Sequence, residues 1–143
     1  MLTAMRRALQ LAMPTAKDDP RELHVVILDN DAITRMNEDF LGHEGPTDVI
    51  SFDLRDEQAF DESAETSVAG EIYVGLGVAR EAARKYTTTL GYEVMLYIAH
   101  GMLHLAGEDD LEPEPKARMR AAETRVMDVL QREFNLTELF ACE

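Results

Sequence analysis

The sequence predicts one domain in which a β-sheet is covered by helices. Three observations carry this. Short apolar, β-branched runs alternate along the chain with segments whose apolar residues recur at helical spacing. The chain has 143 residues, 45% of them hydrophobic and 29% charged, which suits a single globular unit spanning 1–143. One helical segment, 91–106, is so apolar that it must be largely interior.

Leu2, Met5, Leu9 and Met13 fall at helical spacing, and Pro14 ends that first amphipathic helix. Residues 16–20 read as a polar connector. The run Leu23-His-Val-Val-Ile-Leu28 reads as a buried strand. Asp29, Asn30 or Asp31 can cap the next helix, along which Ile33, Met36 and Phe40 face one way, and Gly42 is placed to end it. The turn signal His43-Glu-Gly-Pro46 leads to a second strand over 47–54. An acidic loop over 55–67 precedes a third strand over 69–76, followed by a helix over 77–90. The last helix starts at Glu114 or Pro115, where proline suits the first turn, and runs to Phe134. Met119, Ala122, Val126, Leu130 and Phe134 form its buried stripe.

Composition narrows the function. Fourteen basic residues against 28 acidic ones leave a net charge of −14. Bulk adhesion to nucleic acid needs basic surface to displace counterions, so it is disfavoured; a local cleft or a bound cation is not. No segment approaches the roughly 20 apolar residues of a membrane span, and the start of the chain is too short and too polar in its apolar stretch for a signal peptide. The lone cysteine, Cys142, excludes an internal disulfide framework and fits a reducing cytoplasm.

One constellation carries chemistry: His100-Gly-Met-Leu-His104-Leu-Ala-Gly107-Glu-Asp-Asp110. Four helical residues turn through about 400°, so His100 and His104 share a face and can bind one metal ion. Gly107 ends the helix and permits a left-handed turn, letting the chain swing back with a third ligand. Asp110 is preferred on spacing; Glu108, Asp109 and Glu112 are further oxygen donors nearby. Two imidazoles and a carboxylate leave a position open for water, as catalytic zinc sites do. Iron(II) and nickel suit the same set. A zinc peptidase would carry its general base directly after the first histidine, where this chain has Gly101, so that reading ranks last. Arg80, Arg84 and Lys85 offer a small phosphate-facing patch; pairing with Glu81 and other surface carboxylates is their ordinary reading.

The segment His100-Gly101-Met102-Leu103-His104-Leu105-Ala106-Gly107 resembles the signature of the bacterial YbeY family of metal-dependent endoribonucleases and rRNA maturation factors. Three more segments are similar in the family's order: Asn37 through Pro46-Thr47-Asp48-Val49-Ile50-Ser51-Phe52, then Gly70-Glu71-Ile72, then Met119 with Glu123. The resemblance implies an α+β fold with a mixed four-stranded sheet, about five helices and a metal site on a central buried helix. The fourth strand would fall near Gln58–Phe60. It further implies one zinc ion per chain, cleavage of single-stranded rRNA at the 3′ end of the small-subunit RNA, and work beside the ribosomal small subunit and its proteins in the cytoplasm. A ribosome-associated binding factor with a structural metal is the alternative.

Two departures touch the site. The family's third metal ligand is histidine, where this chain has Asp110, and its usual arginine four positions after the asparagine is Leu41 here. Leu41 removes a cation that would steady phosphate charge. Arg55, Arg80, Arg84 and Lys85 are the cations available to replace it.

Overall fold

Strands β1 (Glu22–Leu28), β2 (Val49–Asp53) and β3 (Val68–Gly75) form a mixed sheet in the order β1-β3-β2. β1 runs parallel to β3 and β2 antiparallel to it, with Val25 opposite Ile72 and Ser51 opposite Ile72 from the other side. The computed structural model describes residues 1–19, 21–55, 68–107 and 113–139. The expected fourth strand near Gln58–Phe60 and the acidic loop at 56–67 lie outside the described residues. Five α-helices surround the sheet among the described residues: α1 (Leu2–Ala12), α2 (Asn30–Leu41), α3 (Leu76–Tyr86), α4 (Leu90–Leu105) and α5 (Pro113–Glu133). The fold class is α+β. Among the described residues no helix is long and apolar enough to cross a membrane.

Local chemistry sets the boundaries. Asp29 caps α2, its carboxylate accepting the Ala32 N–H at 2.8 Å, and Gly42 closes that helix with φ 69°. Residues Pro14–Asp18 form a 3₁₀ turn where a connector was expected, since Pro14 starts a turn as readily as it ends a helix. α3 stops at Tyr86, short of the expected Leu90. Thr87 takes a left-handed conformation (φ 56°), and Thr89 caps α4 by accepting the Tyr92 N–H at 3.2 Å.

α4 is the centre of the structure. It crosses one face of the sheet, and α1, α3 and α5 pack around it. Gly101 makes the crossing possible: a Cβ there would lie 2.9 Å from Ile72 Cγ2 and from Ser51 Oγ. Ile72, Val74, Met95, Ile98, Leu103, Val126 and Leu130 are buried in the resulting core. Each large side chain withdrawn from water contributes about 1.5–3 kcal/mol. On α1 the fully buried positions are Ala4, Ala8 and Ala12, whose small size permits close helix approach; Met5 and Leu9 pack beside them and Leu2 stays exposed. On α5 the expected stripe holds for Met119, Ala122, Val126 and Leu130, all buried, with Phe134 at its edge.

The other face of the sheet carries α2, with Ile33 near Gly75. α2 buries Ile33 and Asn37, and the Asn37 amide donates to the Gly45 carbonyl at 2.9 Å. Phe40 does not follow Ile33 inward. It is 68% exposed, and its ring packs edge-on against Phe52 on β2, the outer strand among the described residues.

Candidate functional site

His100 and His104 project from the last two turns of α4, ring centroids 5.5 Å apart and planes at 83°. The apolar sides of α4 face the sheet and the neighbouring helices, leaving this stripe at the margin of the core. The His100 side chain retains 20% exposure and His104 is exposed, so neither imidazole is sealed in. Glu123 on α5 pairs with His100 Nδ1. A histidine whose Nδ1–H is taken by a carboxylate presents its Nε2 lone pair in a fixed direction, the usual arrangement behind a metal-ligating histidine. The donor chemistry of the pair therefore fits a borderline divalent ion. Among the described residues there is no cluster of three or more histidine, cysteine, aspartate or glutamate side chains able to hold one. Asp110, with Glu108, Asp109 and Glu112, lies outside the described residues.

Two hollows meet at His100. The larger, of about 420 Å³, is lined by both histidines, Leu41, Asp48, Ser51 and Asp53. The smaller, of about 230 Å³, is lined by His100, Asp48, Tyr97, Lys116, Arg120 and Glu123. Asp48 borders both, its Oδ1 fixed by the Val49 N–H at 2.7 Å and the Thr47 hydroxyl at 3.3 Å. Burial, with the Glu93 charge adding to it, pushes the Tyr97 phenol up to about 12, so at neutral pH it is a donor and not a base. The Arg55 guanidinium hydrogen-bonds Asp53 and holds that carboxyl below the usual carboxylate range.

Of the cations considered from sequence, Arg55 serves the end of α4: its guanidinium grips Asp53 at 2.7 Å and donates to the Leu105 carbonyl at 2.5 Å. Arg84 pairs with Glu81 at 3.2 Å on the exposed side of α3, and Lys85 sits 5.3 Å from the Tyr86 ring. Arg80 lies on the same helix, and none of these three α3 cations lines either hollow. The basic residues the structure brings to His100 are Lys116 and Arg120, both exposed on α5. Sequence reasoning passed over them, although Lys116, Arg120 and Glu123 recur at i, i+4 and i+7 beside the apolar stripe. It also gave Glu123 no role beyond the resemblance, because only the packing of α5 on α4 brings Glu123 to His100.

Fold and site together define a small α+β protein with a carboxylate-oriented histidine pair at the edge of its central helix. The family model for Endoribonuclease YbeY matches residues 1–131. A curated Endoribonuclease YbeY of Salinibacter ruber is 32% identical over 127 residues, covering 88% of this chain and 81% of the relative. One of Syntrophomonas wolfei is 38% identical over 110 residues, 74% of this chain and 70% of the relative. The solution structure of a Thermotoga maritima protein superposes with TM-score 0.63 at 28% identity, covering 92% of this chain and 82% of that one. The chain belongs to the Endoribonuclease YbeY family.

Proposed function

We propose that the protein is a metal-dependent endoribonuclease that cleaves single-stranded RNA, with small-subunit rRNA 3′-end processing as its task beside the ribosome in the cytoplasm. The observation that supports the metal reading is the pairing of His100 Nδ1 with Glu123, the arrangement found behind metal-ligating histidines, with His104 one turn further along the helix. His100, His104 and Asp110 would hold one zinc ion. Bound there, the ion supplies Lewis-acid charge for a phosphoryl oxygen and an attacking hydroxyl. Lys116 and Arg120 neutralise phosphate charge at the smaller hollow. Asp48, at the rim of both hollows, is the carboxylate positioned to take a proton from the attacking hydroxyl, whether water or the ribose 2′-OH.

One observation favours the second reading, a ribosome-associated binding factor with a structural metal. Leu41 lines the larger hollow, so an apolar side chain stands where the family resemblance leads one to expect arginine. The same experiment separates the two. Purified protein, loaded with zinc or stripped by chelator, is offered a single-stranded RNA beside His100→Ala and His104→Ala variants. Cleavage by the loaded wild type alone is expected. If the loaded wild type leaves the RNA intact, the endoribonuclease reading falls; full zinc occupancy in both variants removes the ligand assignment.

A further inference from the structure

We propose that Phe40 is a stacking platform for a nucleobase of the single-stranded RNA, flanking the phosphate that lies at the histidine pair. This rests on the endoribonuclease reading and extends it to how the substrate is gripped.

Phe40 is 68% exposed, more than any other large apolar side chain among the described residues. Its chain neighbour, Leu41, lines the hollow that holds His100 and His104, and Phe52, on which the ring packs, follows Ser51 of that lining on β2, so the ring lies one residue from the hollow, around the outer edge of the described sheet. The ring is also fixed in place. Its centroid lies 5.9 Å from Phe52 at an interplanar angle of 74°, and Phe52 lies 5.9 Å from Tyr73 at 80°. Tyr73 is tied in turn by its hydroxyl, which donates to Glu71 at 3.1 Å. The turn that carries Phe40 is held by the Gly42 cap and the Asn37–Gly45 hydrogen bond. An edge-to-face row of this kind supports the outermost ring while leaving it accessible.

The charge balance gives stacking a task. A protein of net charge −14 gains little from general attraction to an RNA backbone. Stacking of a base on an aromatic ring needs no net charge and accepts any base, because every base has a π-face. It also accounts for a preference for single strands, since a base inside a duplex already has both faces covered.

The chain contains no tryptophan, so Phe40→Trp places a single fluorescent reporter at the site. Binding is read with a 2′-O-methylated single-stranded oligonucleotide, which the protein can bind without a free 2′-OH to react. Phe40→Trp is expected to bind it as tightly as the wild type, with quenched emission. Phe40→Leu keeps apolar bulk without a π-face, and it and Phe40→Ala should bind about tenfold more weakly, within the range for losing one base stack. On cleavable RNA, KM should rise with kcat nearly unchanged. Wild-type affinity in Phe40→Leu, or unquenched emission from Phe40→Trp at saturating oligonucleotide, overturns the proposal. So does a change in oligomeric mass in Phe40→Ala with RNA affinity intact, which would assign the ring to a protein contact. If the wild type cleaves RNA and the Phe40 variants match it, only the stack falls. A wild type that neither binds the oligonucleotide nor cleaves RNA takes down the endoribonuclease reading itself.

Discussion

Glu123 on α5 pairs with the Nδ1 of His100 on α4, linking the two helices through that ring nitrogen. This contact fixes the direction in which the imidazole presents its lone pair. Metal-ligating histidines lose about 10- to 100-fold in metal affinity when such a partner is removed. Glu123→Ala should therefore weaken zinc binding by about that factor, measured by competition with a chromophoric chelator. Glu123→Gln, whose amide oxygen still accepts the Nδ1 proton, should lose less. Unchanged affinity in Glu123→Ala would show that the pair is packing and nothing more.

Leu41 is 45% exposed and lines the hollow beside both histidines. Leu41→Arg introduces a cation there with little cost to the core. RNA should bind more tightly, and the logarithmic salt dependence should steepen by about one phosphate contact. A series of binding curves from low to moderate salt tests this; parallel wild-type and variant lines would place the side chain away from the RNA backbone.

Glu93 is 3% exposed, and its Oε2 has no hydrogen-bond partner among the described residues. Burial pushes its carboxyl above the ordinary 4.5, with the Thr88 hydrogen bond acting in the opposite direction. The sign follows from which state releases its proton first. Below the ordinary value the group is protonated in both states. As pH rises past it, the unfolded chain ionises first, and stability falls until the folded-state value is passed. Glu93→Gln should then be more stable than wild type at pH 7 by about 1 kcal/mol, with the gain vanishing near pH 4. Urea midpoints at the two pH values decide it, and an equal gain at both would mean that ionisation is not the cause.

Gly101 is where α4 touches the sheet, with Ile72 and Ser51 inside the space a Cβ would need. Gly101→Ala should raise local helix propensity and still destabilise the protein, by about 1–3 kcal/mol, because the neighbours must shift. Thermal unfolding measures this. A variant more stable than wild type would show that the helix can move off the sheet without loss.

The histidine pair and the helix that carries it were legible in the sequence, because i, i+4 spacing and near-continuous apolarity are local patterns. Phe40 was not: its spacing with Ile33 and Met36 pointed inward, while its ring stays exposed on Phe52 of β2, the outer strand among the described residues. The boundary between α3 and α4 was missed because threonine at 87 and 89 acts through backbone conformation and capping, which leave little trace in periodicity.

By itself the sequence determined the alternation of strands and helices, the interior position of α4 and the face shared by His100 and His104, since each depends on residues within a few turns of one another. The tertiary structure alone decided that Glu123 meets His100, that Lys116 and Arg120 rather than the α3 cations line its hollow, and that Phe40 stands exposed against Phe52. Those contacts join residues far apart in the chain, and only the packing of whole elements against one another sets their distance.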